Sequence, residues 1–311
     1  MYLGEMISLG VAVSWTATAL CFEYAGKRVG TLSLNVIRLS LSLVMLGVTL
    51  WATTGAPYPL HANGEAWLWL GISGFIGYVL GDYCLFNSYI YIGSRFGQLF
   101  MTLAPPSAAL TGWLILGEQL PPQAWLGMFV TIAGIALSIV SKSGGDHPGW
   151  HISLPWKGIL YGIGAGMGQG VGLVFSKLGM NYFMETVDLD SAVEQFMVPF
   201  AATQIRAIIG VIGFIIILLA THQGNRLQRA VRDRKAMGSA TVGTIFGPFL
   251  GVSFSLMAVQ YTEAGIASTL MALTPIMILL PSYLLYKQRV TFREILGALI
   301  SVVGVSLFFL D

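Results

Sequence analysis

Residues 77–140 recur 170 positions further along the chain with the same punctuation. Gly77 matches Gly247, Gly81 matches Gly251, Tyr91 matches Tyr261 and Met101 matches Met271; Pro105, Gly127 and Gly134 match Pro275, Gly297 and Gly304. The segments between these marks are almost wholly apolar. Charged residues are 10% of the 311 and hydrophobic residues 55%, where an average soluble domain carries about 25% charge. Apolar runs of about 20 residues reach across a bilayer as helices. A duplicated, glycine- and proline-marked apolar chain is how many secondary transporters are built.

The turn and loop signals divide the chain into ten spans, roughly 4–25, 31–53, 65–90, 96–116, 122–141, 156–180, 198–221, 236–260, 265–286 and 291–310. The expected fold is an all-α polytopic membrane protein, ten transmembrane helices in two five-helix repeats over 1–145 and 153–311. Five is odd, so the second copy enters the membrane from the opposite side and the repeats are inverted. The offset is 154 at Gly4/Gly158 and Gly10/Gly164, 168 at Arg38/Arg206, and 170 thereafter. The second copy therefore carries about fourteen extra residues between its first two spans, the acidic loop of Glu185, Asp188, Asp190 and Glu194. This loop reads as a solvated surface segment or as a vestibule that gathers substrate.

All of the sixteen Lys and Arg except Arg38, Lys177 and Arg206 fall in or beside the loops that follow spans 1, 3, 5, 7 and 9. Basic residues stay on the cytoplasmic side, so the count places both termini outside. The N-terminal MYLGEM has no basic leader and reads as part of a retained first helix. A multi-pass protein of the bacterial inner membrane is the expectation. The net charge of +2 is dispersed between apolar segments, which argues against nucleic acid as a partner. Cys21 and Cys84 lie inside apolar segments and read as small packed hydrophobes. The composition offers no cofactor loop and no metal-ligand cluster.

Ionisable groups inside spans are costly, so each is a candidate for function. Asp82 is the deepest carboxylate, in span 3; its mate in the second copy is Val252. It reads as a proton carrier or cargo contact, or as a structural ion pair. Arg38 and Arg206 hold matched places about 10 Å into spans 2 and 7 at the helical rise. An arginine on the route suits an anionic or zwitterionic cargo; the plainer readings are an ion pair of Arg38 with Glu23 and a snorkelling Arg206. Glu23 aligns with Lys177, an inverted charge near the ends of spans 1 and 6. Trp15 aligns with Gln169, and Asn87 and Gln260 add polar groups that either orient cargo or join helices. Pro105, Pro106 and Pro275 sit mid-span and bend or break their helices. Span 6 spaces Gly158, Gly162, Gly166 and Gly170 four apart, with Gly164, Gly168 and Gly172 on a second row. Such rows let helices approach closely or leave room for substrate.

Two enzymatic patterns fail on inspection. Gly71-Ile72-Ser73-Gly74 fits the GxSG of rhomboid proteases, but His61, His147, His151 and His222 lie in loops or at a span end, away from any general-base position. Leu80-Gly81-Asp82 lacks the first glycine of the GxGD of intramembrane aspartyl proteases, and no second intramembrane Asp completes a dyad.

The whole chain resembles the EamA-type members of the drug/metabolite transporter superfamily. The residues that carry the resemblance are Leu99–Pro105, the LGEQL of Leu116–Leu120, Leu126-Gly127 and Gly134, and in the second copy Thr269–Pro275, the YKQRV of Tyr286–Val290, Leu296-Gly297 and Gly304; Arg38 in NVIR also fits. Glu118 keeps the family's LGE, whereas its mate is Gln288, so a capping or gating role would belong to one side only. The resemblance implies secondary transport of small metabolites, often export of amino acids, by alternating access. Helices 1, 3, 4, 6, 8 and 9 would line the cavity, and Asp82 would titrate if protons drive the cycle. It also implies cytoplasmic termini, against the charge count. The alternatives are a small-multidrug-type cation pump and, in another class, an intramembrane enzyme or a scaffold. Partners would be a small solute, the lipid bilayer and protons; a homodimer is left open.

Overall fold

A computed structural model describes residues 3–116, 122–142, 150–152, 154–187, 191–261, 270–287 and 290–307. The described residues are helical apart from turns and one ribbon between the repeats, β1 (Val140–Lys142) paired antiparallel with β2 (Trp150–Ile152). α1 (Leu3–Val29) and α2 (Thr31–Thr54) are joined at Gly30. α3 (Gly64–Gly74) runs through π-helical turns at Phe75–Asp82 into α4 (Tyr83–Phe100), followed by a 3-10 turn at Met101–Leu103 and α5 (Ala104–Thr111). α6 (Pro122–Ile139) closes the first copy. The second has α7 (Trp156–Met184), α8 (Ala192–Ala220), a short α9 (Gly224–Arg232), and α10 (Arg234–Thr244), which passes through π-helical turns at Ile245–Phe249 into α11 (Leu250–Tyr261). α12 (Thr274–Met277), α13 (Leu279–Tyr286) and α14 (Phe292–Ser306) follow. Six stretches among the described residues are long and apolar enough to cross a membrane.

One of those stretches, Gly64–Ile115, is 52 residues long, about 78 Å at 1.5 Å per residue and more than twice a bilayer's hydrocarbon thickness. Gly93 breaks it. Its φ of 80° and ψ of 160° are non-helical, a conformation open to glycine because it has no Cβ. The next helical segment starts with its amide unsatisfied, and Glu23 supplies the acceptor: Ser94 N–H donates to Glu23 Oε2 at 2.8 Å. A carboxylate at a helix N-terminus both accepts an orphan donor and opposes the helix dipole. Lys27 Nζ lies 2.5 Å from the other Glu23 oxygen, one turn along α1.

Local breaks repeat with the sequence period. The π-helical turns begin at Phe75 and at Ile245, 170 apart, and the breaks at 101–103 and 272–273 each precede a helix that opens on proline, Pro105 or Pro275. The prolines thus stand in the first turn, where their missing N–H leaves no hydrogen bond unmade. They start helices after a break and do not kink continuous ones.

The packing between copies follows the same period. α6 and α14 cross at their glycines: a Cβ on Gly134 would lie 2.7 Å from the Gly297 carbonyl oxygen, and one on Gly304 would lie 2.9 Å from the Gly127 carbonyl oxygen. At the crossing Thr131 and Ser301 exchange hydrogen bonds, hydroxyl to carbonyl, at 3.4 and 3.3 Å. Each of α1 and α7 packs on the third helix of the other copy. Ser14 Oγ donates to the Phe246 carbonyl at 2.5 Å, and Thr18 Oγ1 to the Gly243 carbonyl at 3.4 Å. In the matched place Gly168 and Gly172 lie against Gly81 and Gly77, whose Cα atoms are 2.8 and 3.0 Å from where the added Cβ atoms would sit. The first glycine row of α7 meets the Phe100 ring and the carbonyls of Phe100 and Ala104. Both rows are therefore spent on helix packing, which corrects the alternative of a cavity-facing glycine surface.

Loops that the charge count assigns to one side do meet at one end of the bundle. Arg28 pairs with Asp233 at 2.8 Å, and Arg95 with Glu294 at 3.1 Å. At the other end Asn63 Nδ2 donates to the Tyr182 carbonyl at 3.2 Å, and His61 stands 3.7 Å from Glu194. The acidic loop's Glu194 thus meets a histidine of the loop after α2.

Candidate functional site

Four of the predicted residues converge around one side chain, Tyr78. Arg38 on α2 pairs with Asp82, which ends the π-helical turns after α3, and both are buried. Arg38 Nε also donates to Asn35 Oδ1 at 2.8 Å, and Asn35 is itself anchored to the Thr31 carbonyl at 3.0 Å. The other Asp82 oxygen accepts Gln169 Nε2 at 2.7 Å; the same amide reaches the Gly77 carbonyl at 3.1 Å. Thus α2, α3 and α7 are tied through one carboxylate. The Arg38 guanidinium lies over Phe86 at 4.7 Å, with Tyr78 at 5.6 Å and Phe22 at 5.7 Å.

Arg206 on α8 meets the same tyrosine, its guanidinium carbon 4.7 Å from the Tyr78 ring centroid. It is 4% exposed. Gly77 makes room for it, since a Cβ there would lie 3.0 Å from Arg206 Nη2; Gly74 packs on its backbone. Arg206 forms no ion pair with a described carboxylate, and its Nε has no hydrogen-bond partner. Tyr78 Oη is likewise buried and unpartnered. Among the described residues the cluster thus holds two buried guanidinium groups and one carboxylate, which is paired with Arg38, and is one positive charge in excess. Buried ions are tolerated when paired, so this excess is a chemical property of the site: it favours an anionic group nearby.

These contacts correct two expectations. Arg38 does not pair with Glu23, whose oxygens are taken by Lys27 and Ser94; it meets Asp82 instead, where α2 packs against α4, the helix that begins just after this carboxylate. Arg206 does not snorkel, because α3 and Tyr78 cover it. Trp15 lies apart from the cluster, against Gly251, with its ring nitrogen 3.0 Å from an added Cβ there. It is the matched place of Gln169 beside Gly81. Asn87 joins helices, accepting Thr31 Oγ1 at 3.1 Å and donating to the Tyr83 carbonyl at 2.7 Å. Lys177 is exposed. Glu118, Gln288 and the side chain of Gln260 lie outside the described residues. Ser73 of the GxSG pattern bonds the Gly172 carbonyl at 2.7 Å and Ser176 Oγ at 2.6 Å, across the α3–α7 contact. Among the described residues no group of three or more His, Cys, Asp and Glu is placed to hold a metal ion. Tyr78 escaped the sequence reading; its only signal was an aromatic one turn before the deepest carboxylate.

The sequence model of the EamA-like transporter family matches residues 2–140 and, a second time, residues 156–310. The uncharacterized transporter sll0355 of Synechocystis sp. is 22% identical over 274 residues, which are 84% of this chain and 76% of that protein. The permease-like protein YdzE of Bacillus subtilis is 39% identical over 46 residues, 15% of this chain and 59% of its own length. A solved crystal structure of 16% identity superposes with a TM-score of 0.59, over 98% of this chain and 95% of that one, a likeness of fold.

Proposed function

The chain belongs to the EamA-like transporter family, and from that premise we propose that it is a secondary transporter that exports a small anionic or zwitterionic metabolite, such as an amino acid, by alternating access. The observation that carries the cargo class is the buried cluster of Arg38, Asp82, Gln169 and Arg206, with two guanidinium groups against one carboxylate. An uncompensated buried cation favours a carboxylate-bearing solute. It disfavours the small-multidrug reading, which needs a free deep carboxylate for a cationic drug. Glu23, the candidate for that role, is occupied at a helix start.

In this reading the repeats, 1–145 and 153–311, form ten crossings, and the second copy is inverted in the membrane. Two observations support it: contacts recur under the 170-residue shift, and Gly93 divides a run too long for one crossing. Swapped packing of α1 and α7 gives two bundles that can rock about the shared α6–α14 crossing, the geometry alternating access requires. The end that gathers Arg28, Arg95 and Arg234 faces the cytoplasm of a bacterial cell by the charge rule, with the termini outside. Protons drive the cycle by titrating Asp82: the proton and the cargo's ammonium group compete for this carboxylate, so protonation from outside releases the cargo and loss of the proton to the cytoplasm lets the next one bind. Purified protein in liposomes tests this. An imposed pH gradient should drive movement of amino acids or other carboxylates, and movement indifferent to the gradient in both directions refutes the coupling.

A further inference from the structure

Arg206 is the guanidinium of the cluster that makes no ion pair with a described carboxylate. Its guanidinium is 4% exposed, has no described carboxylate within 4.0 Å, and its Nε makes no hydrogen bond. The Tyr78 ring at 4.7 Å attracts it, but a cation–π contact offsets only part of the cost of desolvating an ion. Tyr78 brings a second buried, unpartnered donor, its hydroxyl, to the same place. Arg38 cannot share its own counter-ion, because Asp82 is held on both oxygens, by Arg38 and by Gln169. A guanidinium with no carboxylate bonded to it among the described residues and a phenol without an acceptor, side by side, are complementary to a carboxylate, which accepts from both.

We propose that Arg206 and Tyr78 form the subsite that takes the carboxylate of the cargo. The inference rests on the transport reading for the word cargo, though not for the binding of the anion. It also separates roles. Arg38 with Asp82 is the internal ion pair that carries the coupling, and Arg206 is the permanent cation that selects for the anionic group. The amino group of a zwitterion then lies toward Asp82, so that an amino acid matches both ends of the cluster.

The test uses the full chain in lipid nanodiscs, with the thermal unfolding midpoint as readout and acetate, alanine, alaninamide, methylammonium and chloride as separate probes. Acetate and alanine should raise the midpoint; alaninamide and methylammonium should not. Arg206→Gln should fold at least as stably without ligand and bind carboxylates about tenfold or more weakly, as loss of a charged hydrogen bond implies. Tyr78→Phe should weaken them by a smaller factor, and it serves if Arg206→Gln does not fold. A wild-type protein indifferent to acetate and alanine, a chloride shift equal to that of acetate, or a Tyr78→Phe or Arg206→Gln protein that binds as the wild type does overturns the subsite. Counterflow of alanine in liposomes keeps the two readings apart. Binding without counterflow refutes transport and leaves the subsite standing, whereas undiminished counterflow by Arg206→Gln refutes the subsite and leaves transport.

Discussion

Asp82→Asn removes the carboxylate that pairs with the buried Arg38, and its cost follows from the contacts. The asparagine oxygen can still accept from Gln169 Nε2, now at 2.7 Å from Asp82 Oδ1. Its amide would face the Arg38 guanidinium with donors on both sides, and Arg38 would keep only Asn35 and the rings of Phe86, Tyr78 and Phe22. Removing one partner of a buried pair costs about 3–5 kcal/mol. At about 2–4 °C per kcal/mol for a chain of a few hundred residues, the unfolding midpoint should fall by roughly 6–20 °C. Arg38→Gln should cost a similar amount, since it leaves Asp82 buried with Gln169 alone. The double substitution Arg38→Gln with Asp82→Asn places two neutral amides together and should recover most of the loss. Its coupling energy, the double change less the sum of the singles, should exceed about 2 kcal/mol in magnitude. Midpoints of the four proteins, followed by tryptophan fluorescence in one detergent, give the cycle. Singles that add within about 0.5 kcal/mol would refute the pairing as the organising contact of the site.

Glycines at the α3–α7 crossing should not tolerate side chains. Gly168→Ala puts a Cβ 2.8 Å from the Gly81 Cα, backbone that cannot rotate away, and should cost about 1–3 kcal/mol in the same melting assay. Ser73→Ala should cost about 1 kcal/mol for its lost hydrogen bonds and leave liposome transport intact, whereas a protease reading requires loss of peptide cleavage. Glu23→Gln weakens the acceptor for Ser94 N–H and loses the Lys27 pair; a drop of about 1 kcal/mol in stability is expected, with substrate specificity unchanged. Asp233 caps α10 by accepting the Ala236 and Lys235 amides and pairs with Arg28. The Ala236 amide first, then Arg28, holds its carboxyl below the ordinary value of 3.8. A depressed carboxyl contributes stability above its unfolded value and loses it as pH falls through the folded one, so Asp233→Asn should flatten the acid limb of the melting profile below that pH.

The order of residues alone carried the membrane class, the duplication, and the family, because hydropathy and a 170-residue period are properties of the chain before it folds. The breaks at Gly93, Pro105 and Pro275 were also readable, since glycine and proline restrict the backbone locally. That Arg28 and Arg95 stand at one end of the bundle followed in the same way from their place between apolar runs. The partner of each buried charge was not. Arg38 and Glu23 stand at the same end of neighbouring helices and read as a pair, yet Arg38 meets Asp82, 44 residues away, while Glu23 turns to the helix start at Ser94. Whether the glycine rows of α7 faced a cavity or a neighbour was equally undecided until α3 and α5 were seen against them. Partners of this kind depend on where helices from distant parts of the chain cross and at what depth. Tertiary packing alone sets that, and it placed Arg206 beside Tyr78 with no ion pair to a described carboxylate.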